Sequence, residues 1–184
     1  MTDLNGKKVL VIVTNYGVEQ DELVVPVDKL RESGATVTVA AVSSDPITTL
    51  DGDKDPGREV APDTTLDQVQ AADYDLLIVP GGTVNADTLR LNDDALSITK
   101  SFSGSGRPIA AICHGPWVAV EAGIVDGKQL TSYASLRTDL TNAGAQWTDA
   151  SVVTDDGSGY TLITSRNPHD LDDFVGAIEK ALTA

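Results

Sequence analysis

Pro108-Ile109-Ala110-Ala111-Ile112-Cys113-His114-Gly115-Pro116-Trp117 runs from an apolar segment through a cysteine, a histidine and a Gly-Pro pair into a helical stretch. This order spells strand, sharp turn, helix, because proline is at home in the first turn of a helix and the short apolar run is long enough only for a strand. Cys113 is the single cysteine of the 184-residue chain. A thiol at such a turn is expected to be exposed at the end of a sheet, beside the positive end of a helix, where thiolate is favoured. The alternative is an inert, half-buried thiol, although a structural cysteine more often lies inside an apolar element.

Working outward, Lys8 to Thr14 is a β-branched apolar run, the pattern of a strand buried on both faces. Asn15-Tyr16-Gly17-Val18 turns the chain. Leu23, Val24, Val27 and Leu30 recur at helical spacing between about Glu19 and Ser33, Pro26 bends that helix, and Gly34 stops it. Thr36 to Val42 completes a βαβ unit. Residues from about Ser43 to Asp63 carry several prolines and glycines among many acids and read as a loop or a marginal hairpin. Tyr74 to Val79 is a strand ending in Pro80-Gly81-Gly82, and Asp93 to Ser103 a helix. Beyond Cys113, helices are expected at Pro116–Ala122, Leu136–Asn142 and Pro168–Leu182. A hairpin should turn at Asp155-Asp156-Gly157-Ser158-Gly159.

Alternating strands and helices imply one domain over 1–184, a three-layer α/β sandwich with a mostly parallel sheet. Ligands bind such sheets at the carboxyl ends of strands. Three features should gather there: the turn holding Glu19, the Gly81-Gly82 turn and the Cys113 turn.

Composition excludes several classes. Acidic residues outnumber basic ones 28 to 13, a net charge of −15, which repels nucleic acid, and no basic patch or aromatic platform offsets this. The acids are scattered rather than gathered in a tail, as expected of a halophilic source, where a Debye length of about 3 Å at molar salt screens self-repulsion. No apolar stretch approaches the roughly 20 residues of a membrane span, and a lone cysteine agrees with a reducing cytoplasm. Two histidines and one cysteine make no metal site, and no glycine-rich loop is placed to cradle a phosphate. Neither metal nor cofactor is expected.

As chemistry, Cys113 is the nucleophile, and the N–H groups of Gly81, Gly82 and His114 are an oxyanion hole. The alternative for Gly81-Gly82 is a plain turn. A carboxyl beside a thiolate in a partly dry pocket keeps its proton and donates it to sulfur; pattern alone leaves Glu19, Asp21 and Glu22 open for that part. His114 serves as base if something brings it round, since neighbours on a tight turn point apart. His169, opening the last helix, is a weaker candidate.

Ala111-Ile112-Cys113-His114-Gly115-Pro116, Val79-Pro80-Gly81-Gly82, and Glu19-Gln20-Asp21-Glu22-Leu23 followed by Pro26 resemble the PfpI family. This is the DJ-one/PfpI branch of the class I glutamine-amidotransferase-like superfamily. Thr131-Ser132-Tyr133, the 142–147 stretch and Thr164-Ser165-Arg166-Asn167-Pro168 extend the likeness along nearly the whole chain. The resemblance implies a flavodoxin-like sandwich with a nucleophile elbow at Cys113. It also implies Glu19 as the carboxyl bonded to the sulfur, and a homo-oligomer, dimer or hexamer. In proteolytic members the histidine matching His114 pairs with an acid of a neighbouring subunit. The segment here, Thr83 to Arg90, is one residue longer, with Asp87 as the candidate acid. The implied activity is on reactive carbonyls, as a glutathione-independent glyoxalase or a protein deglycase in stress protection. The alternatives are an intracellular cysteine peptidase and a redox-sensing or chaperone-like stress protein that oxidises Cys113. A glutamine amidotransferase using His169 is a further one, though that class expects an acid at position 171, which is Leu. The expected substrates are a small carbonyl, a glycated group or a peptide.

Overall fold

The computed structural model describes residues 2–184. The described residues form twelve strands and six α-helices. In order these are β1 (Lys8–Ile12), β2 (Tyr16–Glu19), α1 (Gln20–Glu32), β3 (Thr36–Ala41), β4 (Ile47–Asp51), β5 (Asp55–Val60) and β6 (Thr64–Thr65). They continue with β7 (Leu76–Val79), α2 (Thr83–Leu89), α3 (Asp93–Gly104), β8 (Ile109–Ile112), α4 (Pro116–Glu121), β9 (Gln129–Leu130) and α5 (Arg137–Asn142). The last four are β10 (Gln146–Trp147), β11 (Val152–Asp155), β12 (Leu162–Ser165) and α6 (Leu171–Thr183).

Seven strands form the central sheet in the order β11-β12-β8-β7-β1-β3-β6. All pair in parallel except the edge strand β11, which runs antiparallel to β12. Burial on both faces explains the β-branched runs. Along β1, Val9 and Val11 join the core on the α1 and α6 side, while Leu10 and Ile12 join the core beneath α3, α4 and α5. The three-layer sandwich expected from the sequence is therefore the fold, and the two cores lie on opposite faces of one sheet.

Two elements depart from expectation. Tyr16 to Val18, read as part of a turn, and Glu19, read as the start of the helix, form β2, which pairs with β4 of the β4–β5 hairpin to make a separate three-stranded sheet. The Ser43 to Asp63 segment, read as a loop or a marginal hairpin, is a formed hairpin, and its tip, Gly52-Asp53-Lys54, reaches back to the sheet's carboxyl edge. A short helix, α2, directly follows Gly82. Pro26 lies inside α1 without ending it; it withholds an N–H from the carbonyl of Glu22, four residues back.

Candidate active site

The turn after β8 sets the site. Cys113 has φ +61, a left-handed backbone that costs a non-glycine residue about 1–2 kcal/mol. Bonds on both sides hold it there: the Cys113 N–H donates to the Ser165 carbonyl of β12 at 3.0 Å, and its carbonyl accepts from Tyr133 N–H at 2.9 Å. Gly115 is needed at the same turn, because a Cβ there would sit 2.3 Å from the Val79 carbonyl oxygen. This is the strand-turn-helix of the opening stretch, with one correction. The thiol is not exposed at the sheet end but only 5% accessible, at the base of a cavity. Burial, followed by the nearby Glu22 carboxyl, pushes its pKa far above the ordinary thiol value. The resting sulfur is therefore a thiol.

His114 lies directly beside it. The two neighbours do not point apart, because the left-handed turn brings the imidazole back to the thiol, with Nδ1 3.1 Å from Sγ. The ring is 5% exposed, stacked on Tyr133 at 4.8 Å and edge-on to Trp117 at 5.3 Å. Burial lowers the imidazole pKa and the Asp53 carboxylate works in the opposite direction, so the ring is neutral and basic at neutral pH.

On the other side of the sulfur lies Glu22, not Glu19. Glu22 is fully buried in the first turn of α1. Its Oε2 accepts the Gly81 N–H at 2.7 Å, its Oε1 is buried without a hydrogen-bond partner, and the carboxyl interacts with the Cys113 thiol. Burial raises its pKa well above the carboxylate range, so it carries its proton. Helix phase separates the two glutamates. Glu22 falls on the buried stripe with Leu23, Pro26, Val27 and Leu30, whereas Glu19 precedes the helix. Pattern reading had a signal for this: Glu22 lies four residues before Pro26 and eight before Leu30. Asp21 lines the cavity but is exposed, on the side of the helix away from that stripe.

Glu19 does something else. Its two carboxylate oxygens accept the N–H groups of Gly52 and Asp53, each at 3.2 Å, and so tie the hairpin tip to the start of α1. Burial first, then the Asp53 and Asp51 charges, raise its pKa.

The expected oxyanion hole is only partly free. The Gly81 N–H is taken by Glu22, and Gly82 does not line the cavity; the His114 N–H faces the sulfur. The glycines are demanded by close packing. A Cβ on Gly81 would lie 2.5 Å from Glu22 Oε2, and one on Gly82 (φ +79) 2.2 Å from the Gly17 carbonyl oxygen. Buried Asn85 locks this turn by accepting from Thr14 and donating to the Gly81 carbonyl.

Asp87 does not meet His114 within the chain. It is solvent-facing one turn further along α2, about 5.4 Å of rise from Thr83, the residue that does face the imidazole. The Thr83 hydroxyl is 3.3 Å from His114 Nε2 and donates to Asp53 Oδ2 at 2.6 Å, while the Thr83 N–H donates to Asp53 Oδ1 at 2.7 Å. Ser135 Oγ also approaches Nε2, at 3.4 Å. Asp53 itself has φ +59 at the hairpin tip. No sequence signal singled out Thr83 or Asp53, which meet across 30 residues. His169 is exposed on the cavity rim, and its ring makes no hydrogen bond to Cys113.

The cavity is about 600 Å³. Five carboxyl groups line it (Glu19, Asp21, Glu22, Asp51 and Asp53), and among the described residues no lysine or arginine does. No cluster of the described residues has the make-up of a metal site, and no described helix is long and apolar enough to cross a membrane.

A parallel α/β sandwich with a buried cysteine on a left-handed turn after a central strand defines a class of elbow proteins. Within it, the chain belongs to the DJ-1/PfpI family, whose pattern it matches over residues 7–181. It is 38% identical to a deglycase of Thermococcus kodakarensis over 89% of this chain and 92% of that one. It is 37% identical to general stress protein 18 of Bacillus subtilis over 92% and 94%. The crystal structure of Drosophila melanogaster DJ-1beta superposes with a TM-score of 0.84 at 34% identity, covering 96% of this chain and 90% of that one.

Proposed function

We propose that the protein is a cysteine-dependent enzyme acting on reactive carbonyls, as a deglycase that also converts methylglyoxal to lactate. The observation that carries this is the bracketing of Cys113 Sγ by a protonated buried carboxyl, Glu22, and a neutral imidazole, His114 Nδ1. A sulfur held between a proton donor and a proton acceptor is equipped to move protons between adjacent carbons.

In methylglyoxal turnover the sulfur bonds to the aldehyde carbon, and His114 carries the thiol proton to the aldehyde oxygen, giving a hemithioacetal. The hydrogen on that carbon leaves as a proton to His114, and the ketone oxygen takes a proton from Glu22, giving an enediol. Return of a proton to the second carbon, with loss of the hydroxyl proton on the first, yields a thioester of lactate. Water cleaves it, releasing lactate and restoring the thiol. One carbon is oxidised and its neighbour reduced, so no external electron carrier enters. With a glycated arginine or lysine, the sulfur displaces the nitrogen at the same carbon, and the amine leaves with a proton.

The acidic wall supports a neutral carbonyl or an adduct on a basic side chain, and disfavours anionic substrates. Peptide hydrolysis fits less well, because the Gly81 N–H that would hold an oxyanion is already bonded to Glu22. The test is lactate release from methylglyoxal, and from N-acetylarginine pre-treated with it, in the absence of glutathione. Wild type should release lactate and Cys113→Ala should not. Release that survives Cys113→Ala, or none from wild type with either substrate, overturns the reading.

A further inference from the structure

We propose that Asp53, acting through the Thr83 hydroxyl, is the acid that positions His114, so that the proton relay Cys113–His114–Thr83–Asp53 is contained in a single chain. This goes beyond the carbonyl chemistry and rests only on His114 being the proton acceptor for Cys113.

The argument begins at the carboxylate. Asp53 accepts both the N–H and the O–H of Thr83, at 2.7 and 2.6 Å. With its one hydroxyl proton committed to Asp53, Thr83 Oγ1 has only lone pairs left for its other neighbour. That neighbour is His114 Nε2 at 3.3 Å, so the ring must donate there. A proton on Nε2 leaves Nδ1 bare, and Nδ1 is the atom 3.1 Å from the sulfur. The carboxylate therefore fixes the tautomer that can accept the thiol proton, and its charge steadies the imidazolium that results.

The scaffold around Asp53 is built to hold it there. Among the described residues it is one of three non-glycine residues with positive φ, and Cys113, at the other end of the relay, is another. The Asp53 N–H is fixed by Glu19, whose second oxygen fixes Gly52. Behind the tip, the Gln20 side chain accepts the Arg58 N–H at 2.9 Å, and Thr49 donates to the Arg58 carbonyl at 2.7 Å. The whole hairpin is thus anchored to the start of α1. Glu19 is a positioning residue for the tip rather than a partner of the thiol.

The other carboxyl groups facing the imidazole across the cavity are Glu19, Asp21, Glu22 and Asp51; the remaining titratable neighbours are Cys113, Tyr133 and His169. None of these has a hydrogen bond to Nε2 or to Thr83 Oγ1.

The experiment is the pH dependence of Cys113 alkylation by iodoacetamide, which needs no substrate turnover and so stands whatever the enzyme acts on. Thr83→Val removes the hydroxyl at nearly constant shape. Asp53→Asn keeps an acceptor and a residue type that tolerates positive φ but removes the charge. Each should slow alkylation at neutral pH about tenfold and move the histidine inflexion to lower pH, because the imidazolium loses its hydroxyl acceptor in the first and its anion in the second. The double variant should be no slower than either single one, since both break the same relay. Thr83→Ser, which restores a hydroxyl, should return the profile to within about twofold of wild type. Asp87→Asn should leave it unchanged. Unaltered profiles in folded Thr83→Val and Asp53→Asn overturn the proposal. So does a collapse in Asp87→Asn, which would place the acid on α2.

Discussion

Glu22 and Asp53 flank the same Cys113–His114 pair from opposite sides, and they carry the same functional group to opposite effect. Glu22 grows from a core helix, is fully buried, and meets one backbone N–H and a thiol. Asp53 sits on a hairpin tip at the cavity mouth and accepts two hydrogen bonds from Thr83. Burial without a counter-charge keeps a proton on the first, while the second faces the cavity mouth and accepts from a hydroxyl and an N–H. A carboxyl group's part in this site is set by the element that delivers it.

The sharpest way to break that contrast is a paired substitution. Glu22→Gln keeps shape and can still donate to sulfur, but it cannot release a proton; turnover should fall by about 10²-fold or more, within the range for losing a positioned acid or base. Asp53→Asn should cost only about tenfold, because His114 still holds its place by stacking on Tyr133. Equal losses, measured as kcat with methylglyoxal, would mean that the two carboxyls are not doing different jobs.

A second measurement reads the proton itself. Because the folded state raises the Glu22 pKa, folding binds more protons than the unfolded chain does between the ordinary carboxylate range and the raised value. The stability linked to Glu22 is fully present below about pH 4.5. It is lost as pH rises through the folded pKa. Urea melts across that window should show a steeper decline for wild type than for Glu22→Gln.

Glu19→Gln makes a finer comparison. An amide oxygen can still accept one of the two tip N–H groups, so a loss of about twofold to fivefold in kcat is expected, well short of Glu22→Gln. A loss as large as that of Glu22→Gln would return the proton-donor role to Glu19. The smallest effect is global. With a net charge of −15, raising salt from 0.1 M to 1 M shortens the Debye length from about 10 Å to about 3 Å and should raise Tm by a few degrees.

The sequence was most readable where burial dictates composition. The β1, β7 and β8 runs are apolar because both faces are covered, and Cys113 is legible because a turn of this kind leaves a Gly-Pro signature behind it. β2 was lost because Gly17, with φ +91, reads as a turn, and because this strand pairs with a hairpin 30 residues on. α2 has no side-chain cap at Gly82 and opens on Thr-Val-Asn, poor helix formers, so nothing announced it. Among the acids of the first helical turn, the family likeness pointed to Glu19 while the periodicity of α1 favours Glu22. Asp53 was beyond reach, since its meaning lies in a contact with Thr83 that no local pattern encodes.

The β4–β5 hairpin has one further consequence. β5 is largely solvent-facing, and the segment is stitched to the body mainly through β2, Gln20 and Glu19. Sequence changes at its tip would therefore reach the cavity while leaving the seven-stranded sheet alone. For an engineer the tip is an adjustable cartridge: with Asp53 kept, positions 51, 52 and 54 could be varied to screen for new substrate preferences on an unaltered chassis.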